Sequence, residues 1–392
     1  MRVLITGAGV AGMASAVAFR RAGINDLTIV EHAPEVAAQR GTGIAIPPNG
    51  TRALAAVGLP VERLIARGHL LRKYRLLDRT GRELSCADLT RLWLGEQLPY
   101  FAVHRRRIYE ALLEALGDQR IEFHSTADVA PAALAGDRPV LARINGPNGS
   151  REEYFDLVIG ADGIRSTLRQ TMWPHIKPRP LGWSTWRCVV AYDAPEAETQ
   201  VVYSGLGGVF LYLPIGDRQI YVYAACRQTA DNSQPAGSAS NAIAARFGGF
   251  GVPRTLFDAV VALPDQAFHV GPLEEISHEE LTSAGRGRAV LVGDALHACS
   301  PNMAQGVALA AEDGAVLAEI MLGGDDSIAD RFWRRRLPRI RHVQEFTRKR
   351  DQLINKRAES ALFQRLSNVV IRLRGTDRLQ RDAFGYLLEN AA

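Results

Sequence analysis

Cysteine is scarce in this sequence. The 392 residues include four cysteines, which show neither metal-ligand spacing nor a Cys-x-x-Cys pair: Cys86, Cys188, Cys226 and Cys299. This gives no basis for a metal site and indicates a reduced compartment, for which the cytoplasm is the default. The N-terminus enters an apolar strand at once, which leaves no room for a cleavable secretory leader. We therefore expect a cytoplasmic protein that contains no metal.

Long apolar runs, internal repeats and long low-complexity tracts are also missing. No uninterrupted apolar stretch is long enough to span a bilayer, so no membrane span is expected. The polar segment 228–241 is interpreted as a loop. With 47% hydrophobic residues the chain can form two packed cores, and a disordered protein is excluded.

The N-terminal residues carry the most informative pattern. An apolar run leads into Gly7-x-Gly9-x-x-Gly12, then an alanine-rich helical stretch and a second apolar run that ends at Glu31. This combination is the fingerprint of a dinucleotide-binding βαβ unit. Gly7 permits the tight turn, Gly9 lets the backbone approach a pyrophosphate, and Gly12 lets the helix pack closely on the sheet. Glu31 is placed to accept hydrogen bonds from ribose hydroxyls.

Two further apolar runs end in glycine and aspartate. The first leads to Gly160, Asp162 and Gly163, and the second leads to Gly293 and Asp294. Each alone would be interpreted as an ordinary turn. An aspartate at the carboxyl end of a strand can also bind sugar or polyol hydroxyls, because open α/β sheets bind ligands at that edge.

The three motifs, in this order and at these separations, resemble those of the FAD-dependent aromatic hydroxylases of the para-hydroxybenzoate hydroxylase type. The resemblance extends over roughly residues 1–350. It implies that the first motif holds the ADP half of FAD and that the second serves FAD and NAD(P)H together. It also implies that Asp294 contacts the ribityl chain and that Asp162 and Arg169 belong to the second motif.

The same resemblance implies FAD contacts outside the glycines and aspartates. Arg105 matches an arginine at the start of a helix, for which the alternative is one more solvated base in a basic run. Arg40 matches a position near the adenosine, and Val129 matches a backbone contact to the adenine. The remaining cofactor-binding candidates lie beside the first and third motifs: Ala11, His32, Ala304, Gln305, Gly306 and Val307.

The third motif departs from the family pattern. The family commonly shows Pro-x-x-Gly-Gln-Gly-x-Asn, whereas this chain has Ala304 and Ala308 in place of the first glycine and the asparagine. Gln305 and Gly306 are retained, so backbone N–H groups at a helix start can still face the pyrimidine edge of a flavin. The side chains of Ala304 and Ala308 therefore affect the expected position of the flavin ring and its mobility.

The segments between the motifs indicate a mainly antiparallel sheet. Residues 182–226 alternate apolar and polar or aromatic side chains, and residues 70–90 predict a hairpin with Thr80-Gly81 at its turn. The predicted fold class is α/β, with a Rossmann-like FAD-binding domain, a mainly antiparallel substrate-binding sheet and C-terminal helices. The predicted FAD-binding domain comprises 1–70, 100–175 and 271–325, the substrate domain 71–99 and 176–270, and the helical segment 326–392.

Three residues are the catalytic candidates: Arg187, Tyr212 and Pro301. Trp186-Arg187 resembles a Trp-Arg or Tyr-Arg pair of several family members, and Arg187 could pair with a substrate carboxylate. Pro301 opens the third motif, and His297 before it fits a family position that is more often structural than a proton shuttle.

Tyrosines of the predicted sheet are further candidates for polar anchors. Tyr221 and Tyr223 share one strand face by the period of two, as do Val201 and Tyr203, whereas Tyr212 alternates with leucines. The alternative is that each aromatic residue is packing and that the arginine beside Trp186 is a base on the sheet surface.

The resemblance implies an FAD-dependent monooxygenase that consumes NADH or NADPH and O2. It would hydroxylate a small aromatic or heteroaromatic substrate through a flavin C4a-hydroperoxide, in a site that is largely apolar with few polar anchors. The alternatives on this fold are a reductase, a dehydrogenase or another oxygenation, such as epoxidation or Baeyer-Villiger oxidation. A halogenase would be expected to show Trp-x-Trp-x-Ile-Pro, which the sequence lacks.

Positive charge is concentrated in residues 331–357, although the formal net charge of the whole chain is only +5. Such a run can bind nucleic acid or an anionic membrane. It is more often the solvated face of a helix, and a nucleic-acid binder would leave three nucleotide motifs unexplained. We therefore expect no nucleic-acid partner and a helix that packs through apolar residues at loosely helical spacing: Phe332, Ile340, Val343, Phe346 and Leu353.

Overall fold

The computed structural model describes seven segments of the chain: 1–35, 42–93, 98–136, 138–193, 196–228, 238–323 and 327–390. Strands of the N-terminal part are β1 (Arg2–Thr6), β2 (Asp26–Val30), β3 (Gly43–Ile46), β4 (His69–Leu70), β5 (Lys73–Asp78), β6 (Glu83–Asp88), β7 (Phe101–His104), β8 (Ile121–Glu122), β9 (Thr126–Val129), β10 (Val140–Gly146), β11 (Gly149–Phe155) and β12 (Leu157–Gly160). Later strands are β13 (Arg179–Ala191), β14 (Thr199–Gly205), β15 (Gly208–Pro214), β16 (Gln219–Arg227), β17 (His269–Glu275), β18 (Gly285–Arg286) and β19 (Ala289–Leu291).

Helices connect these strands and form the C-terminal part of the fold. They are α1 (Val10–Arg21), α2 (Pro48–Ala56), α3 (Val61–Ala66), α4 (Arg105–Leu116), α5 (Thr167–Met172), α6 (Ala239–Phe247), α7 (Arg254–Val261), α8 (Asp294–His297), α9 (Gly306–Leu322), α10 (Ile328–Glu359), α11 (Ala361–Arg374) and α12 (Asp377–Glu389).

A largely parallel sheet carries all three nucleotide motifs. Its strand order is β18-β19-β12-β1-β2-β8, and only its β18–β19 pair is antiparallel. Val3, Leu4 and Ile5 have no exposed surface, as expected of a central parallel strand with an uninterrupted apolar sequence. Because β1, β12 and β19 run parallel, their carboxyl ends meet at one edge of the sheet. The predicted Rossmann-like arrangement is confirmed.

A seven-stranded sheet lies across this edge, in the order β17-β13-β16-β15-β14-β5-β6. All of its pairs are antiparallel except β14 with β5. Trp186 and Phe210 on one face join an aromatic core with Phe247 of α6 and Phe257 of α7. The mainly antiparallel sheet is therefore confirmed. β17 spans the predicted boundary at residue 271 and pairs with β13.

The predicted hairpin at 70–90 is also confirmed. β5 and β6 pair antiparallel, and the turn between them includes Gly81, whose φ is +89°. Asp78 Oδ1 accepts hydrogen bonds from Thr80 N at 2.9 Å and from Thr80 Oγ1 at 2.7 Å. The glycine is needed here because other L residues rarely adopt this positive φ.

The C-terminal helix α10 packs through part of the predicted apolar side, since Phe332, Ile340 and Val343 have no exposed surface, whereas Leu353 is 37% exposed. The expectation that its basic side is solvated is wrong for Arg336 and Arg339, which are buried among acidic side chains described below. Among the described residues, no helix is both long and apolar enough to cross a membrane.

Candidate active site

A cavity of about 660 Å³ lies between the parallel sheet and the antiparallel sheet. Gly9, Gly163 and Asp294, one residue from each motif, line it from the first side. Arg187 and Tyr223 line it from the antiparallel sheet. The fold therefore brings together motifs that lie far apart in the sequence.

The first motif forms a tight turn between β1 and α1. Gly7 has φ +100°, and a Cβ there would lie 2.5 Å from the carbonyl oxygen of Ala161. A Cβ on Gly12 would overlap the carbonyl oxygen of Gly7. Gly9 and Ala11 line the cavity at the start of α1, where backbone N–H groups have no helical partner.

Glu31 binds this turn through one carboxylate oxygen and the chain after β2 through the other. Its Oε2 accepts a hydrogen bond from Ala8 N at 2.7 Å, and its Oε1 accepts one from Ala33 N at 2.9 Å. His32 is largely exposed, with its Nδ1 2.9 Å from Glu31 Oε1. The sequence did not indicate that the acid also fixes the glycine turn. Contact of Glu31 or His32 with a ribose stays a prediction.

The second motif is built around Asp162, at the end of β12. Its Oδ2 accepts hydrogen bonds from Thr167 N at 2.7 Å and Thr167 Oγ1 at 3.0 Å, so it satisfies the first N–H of α5, whose N-cap is Ser166. Its Oδ1 is buried and has no hydrogen-bond partner among the described residues. Arg169 is fully buried outside the cavity and donates to the carbonyl oxygens of Ala295 at 2.8 Å and Ile164 at 2.5 Å. It therefore joins the second motif to α8 without lining the cavity.

The third motif supplies the start of two helices. Asp294 is the first residue of α8, is exposed and lines the cavity. Pro301, Ala304, Gly306 and Val307 also line it, around the start of α9. Ala304 has φ +53°, a left-handed conformation that costs a residue with a Cβ about 1 kcal/mol. A glycine at this position, as in the family pattern, would relieve that strain.

Gln305 faces away from the cavity. Its side chain and that of Asn49 are both buried and exchange two hydrogen bonds. Asn49 was not identified from the sequence, because no motif marks an asparagine of α2 as a partner of α9. Gln305 therefore fixes the start of α9 from behind.

Three other cofactor candidates lie at different depths. Arg105 starts α4, lines the cavity and donates from Nη2 to Tyr109 Oη at 3.2 Å. Val129 ends β9 and is buried in the core beside the parallel sheet, away from the cavity. Arg40 lies outside the described residues.

Some of the candidate substrate residues line the opposite wall of the cavity, and others face away from it. Tyr221 and Tyr223 line the cavity, as their shared strand face predicts. Burial raises the pKa of Tyr221 to about 12 and also raises that of Tyr223, so both phenols are protonated at neutral pH. Arg187 lies beside them, with Nη2 3.4 Å from Thr185 Oγ1 and a buried Nε that has no partner among the described residues.

Tyr212 and Tyr203 require a correction. Leu211 and Leu213 of β15 line the cavity, so the period of two directs Tyr212 to the other face. There it joins the aromatic core and lies 6.4 Å from the ring of Tyr203. The assignment of Tyr212 as a catalytic residue is wrong, because its side chain does not reach the cavity.

The comparisons with known proteins agree with this geometry. A family model described as FAD binding domain matches residues 1–347. The 2-heptyl-3-hydroxy-4(1H)-quinolone synthase of Pseudomonas aeruginosa is 32% identical over 378 residues, which cover 95% of this chain and 94% of that protein. The chain belongs to the FAD-binding domain family of aromatic monooxygenases.

Two further similarities concern this flavoprotein. The 6-hydroxynicotinate 3-monooxygenase of Pseudomonas fluorescens is 28% identical over 332 residues, which cover 82% of each chain. Klebsiella pneumoniae HpxO, whose crystal structure contains FAD and uric acid, matches 100% of this chain and 97% of its own with a TM-score of 0.84. At 21% identity, the likeness to HpxO shows the fold. The protein is an FAD-dependent monooxygenase.

The cavity of the monooxygenase fits FAD. A Cβ added to Gly9, Gly163 or Gly306 would meet nothing within 4 Å, although the backbone of each lines the cavity. These three backbone positions therefore leave room for a closely bound group. The Oδ1 of Asp162, which has no partner in the described part of the chain, and the exposed carboxylate of Asp294 are acceptors for hydroxyl or amide donors.

Sequence reasoning missed a half-buried carboxyl near the substrate side of this enzyme. Asp351 of α10 accepts hydrogen bonds from Ser300 Oγ at 3.3 Å and from Asn302 Nδ2. Burial raises the pKa of Asp351 to about 6. With Tyr223 and Trp183 it lines a small space next to the main cavity.

A buried ionic network supports the third motif of the monooxygenase. His297 Nε2 lies 2.7 Å from Asp313 Oδ2, and Arg336 Nε donates to Asp313 Oδ1 at 2.7 Å. Arg336 and Arg339 both donate to Glu312 at 2.8 Å. Although burial opposes ionisation, His297 and Arg336 hold the pKa of Asp313 below its ordinary value. His297 is buried within this network, and its contact with Asp313 supports the prediction of a structural role.

Proposed function

We propose that this monooxygenase hydroxylates a small aromatic or heteroaromatic compound and consumes NADH or NADPH and O2. The observation that carries the proposal is that Gly9, Asp294 and Gly306 share a cavity with Arg187 and Tyr223. A nucleotide cofactor and an aromatic substrate can meet there, out of bulk water.

The first and third motifs would hold the cofactor. Backbone N–H groups near Gly9 suit the pyrophosphate because the start of α1 is a positive helix end. Asp294 would accept hydrogen bonds from the ribityl chain, and Glu31 would accept them from the ribose. The start of α9 at Gly306 would stabilise negative charge on the flavin pyrimidine. When bound, FAD accepts hydride from the nicotinamide and activates O2 for transfer to the ring.

The antiparallel sheet would orient the substrate. The buried Nε–H of Arg187 has no acceptor within the described segments, so an anionic or carbonyl oxygen of the substrate would satisfy it. Tyr221 and Tyr223 would donate further hydrogen bonds in their protonated form. Leu211 and Leu213 would exclude water from the reacting ring. Pro301 would border the flavin.

The relatives support a choice of compounds to test first. Two of them are named for a quinolone and for hydroxynicotinate, which are nitrogen-containing rings that bear oxygen. We propose such rings as substrates, with the ring oxygen near Arg187. We also propose the domain boundaries given from the sequence, with all of β17 (His269–Glu275) assigned to the substrate domain because it pairs with β13. A cytoplasmic location is proposed as well, supported by the free cysteines Cys86, Cys188, Cys226 and Cys299.

The test is a screen with the purified, FAD-loaded protein. N-heteroaromatic compounds, aromatic acids and phenols are assayed for stimulated oxidation of NADH and of NADPH. With a productive substrate, NAD(P)H and O2 should be consumed in equal amounts, and one atom of isotope-labelled O2 should appear in the product. Product formed at full rate without O2, or with oxygen taken only from labelled water, would contradict hydroxylation and favour a reductase or dehydrogenase.

A further inference from the structure

Helix α11 presents a mostly polar side to the protein, with Ile371 as an apolar exception. Arg357, buried at the end of α10, donates to Ser367 Oγ at 2.6 Å and to Asn368 Oδ1 at 2.9 Å. Gln364 Oε1 accepts a hydrogen bond from Leu206 N at 3.3 Å. No residue of α11 is buried. Surface helices of globular proteins normally show the opposite orientation, with the apolar stripe toward the core.

The outward side of α11 is an apolar stripe. Five large side chains recur there at helical spacing, with exposed fractions between 50% and 81%: Leu362, Leu366, Val369, Val370 and Leu373. We call these five residues the outer face. Residues separated by three, four or seven positions share one side of a helix, so these side chains form a continuous patch. Contiguous exposed apolar patches mark surfaces that another molecule covers.

The outer face is bordered by positive charge. At 100° per residue, Arg365 and Arg372 lie on one edge of the stripe and Arg374 lies on the other. The segment 361–374 contains no acidic residue. Arg365 and Arg374 are exposed, whereas Arg372 lies 3.5 Å from Asp78 Oδ2. An apolar stripe between arginines matches a surface of acyl chains below anionic headgroups.

A second copy of the chain fits this pattern less well. Two outer faces that met around a two-fold axis would present the same patch to each other. Arginines of one helix would then border arginines of the other, and segment 361–374 has no acid to neutralise them. Charge complementarity therefore favours an anionic lipid surface.

We propose that α11 docks this enzyme on anionic lipid bilayers. The helix lies in the plane of the interface, with the outer face among the upper acyl carbons and the arginines at the headgroups. This proposal does not depend on the substrate or the reaction. It has one consequence for how substrates reach the cavity, because Ile371 of α11 and Leu379 of α12 line the cavity. Docking places this wall of the cavity beside the lipid, from which apolar compounds can enter.

The test measures cosedimentation of the FAD-loaded protein with two kinds of vesicle. One kind contains phosphatidylcholine alone, and the other contains phosphatidylcholine mixed with phosphatidylglycerol. Wild type should bind the mixed vesicles, less strongly as salt increases. The Leu366→Ser/Leu373→Ser variant should lose at least about tenfold in binding. Arg365→Gln/Arg374→Gln should bind more weakly and with a smaller dependence on salt.

The matched control is Leu113→Ser/Leu322→Ser, which replaces two leucines that are 38% and 66% exposed outside α11. It should bind as wild type does, and all variants should retain FAD. Absence of wild-type binding to mixed vesicles at low salt would overturn the proposal. Equal binding by the two double leucine variants would also overturn it. The proposal would also be overturned if wild type does not bind vesicles and sedimentation velocity shows a dimer that only Leu366→Ser/Leu373→Ser disrupts.

Discussion

Asn49 and Gln305 exchange two hydrogen bonds behind the start of α9, one of 2.9 Å from Asn49 Nδ2 and one of 3.2 Å from Gln305 Nε2. Both side chains are buried, so neither can turn to water when its partner is removed. The pair joins α2 to the residue that precedes Gly306. The position of the α9 N–H groups in the cavity therefore depends on an amide that lies outside the three motifs.

Asn49→Ala should lower the free energy of unfolding by about 1–3 kcal/mol, because it leaves the Gln305 amide buried without a partner. It should also weaken FAD binding, since the start of α9 is no longer held. Thermal unfolding and a fluorescence titration of FAD measure the two effects. Asn25→Ala, at an exposed asparagine, is the control and should change stability by less than about 0.5 kcal/mol. Equal stability of the two variants would contradict this role of Asn49.

Gly12→Val should abolish retention of FAD. Even the Cβ of the new side chain would overlap the carbonyl oxygen of Gly7, so the turn that approaches the pyrophosphate must open. The ratio of flavin absorbance to protein absorbance after purification measures retention. Gly271→Val is the control, since a Cβ on Gly271 meets nothing within 4 Å. A full flavin complement in Gly12→Val would show that this turn is not the FAD site.

The Gly12 turn illustrates what the sequence could predict. A buried parallel strand is uniformly apolar, and the glycine spacing follows from local backbone geometry, so the βαβ unit is encoded within residues 2–30. The hairpin with Gly81 at its turn is likewise encoded within a short segment, residues 70–90. Fold class and cofactor motifs were predictable for this reason.

Other parts of the site depend on contacts between distant segments. The period of two grouped Tyr221 with Tyr223 correctly, but it could not decide which face of β15 meets the cavity, so Tyr212 was misassigned. Arg336 looked like a solvated base because its partners Glu312 and Asp313 lie on another helix. Asp351 was missed because it lies in the same basic helix, far in sequence from Asn302.

Asp294→Ala should weaken FAD binding by about 1.5–3 kcal/mol, or roughly 10- to 150-fold, through loss of a charge-assisted hydrogen bond. Asp294→Asn keeps an acceptor and should lose less. Equilibrium titration of the apoprotein with FAD gives both values. Asp258→Ala, which removes an exposed carboxylate paired with Arg254, is the control and should bind FAD as wild type does. If Asp294→Ala also binds FAD normally, Asp294 is only a helix-start residue.

Asp351→Asn should make the folded protein more stable at neutral pH. Burial raises the pKa of Asp351 to about 6 in the folded state, so the unfolded chain, with an ordinary aspartate pKa near 3.9, releases this proton first. Stability contributed by this group is therefore present below about pH 4 and is lost as pH rises toward 6. The gain in Asp351→Asn is expected to be about 1–3 kcal/mol above pH 6.

Urea unfolding of wild type and Asp351→Asn between pH 4.5 and 8 measures this difference. Contributions from other carboxyl groups cancel when the two curves are subtracted. The difference should shrink as pH falls below 6. Asp382→Asn, at an exposed carboxyl of α12, should give a difference that does not vary with pH in this way. A constant difference for Asp351→Asn would mean that its carboxyl ionises normally in the folded protein.

Tyr223→Phe and Tyr212→Phe test which face of the antiparallel sheet meets the substrate. Both variants remove one hydroxyl from a buried tyrosine, 4% and 3% exposed respectively, so their effects on packing are comparable. Only Tyr223 lines the cavity, beside Arg187. Tyr223→Phe should lower kcat/KM by about tenfold through the loss of one hydrogen bond to substrate. Tyr212→Phe should leave kcat/KM within about twofold, because its hydroxyl lies among aromatic residues on the opposite face. Steady-state kinetics on the substrate found in the screen, with FAD content checked for each variant, measure both constants.

Equal losses of kcat/KM in the two variants would mean that the effect is transmitted through the sheet. A loss confined to Tyr212→Phe would restore that tyrosine as the substrate contact.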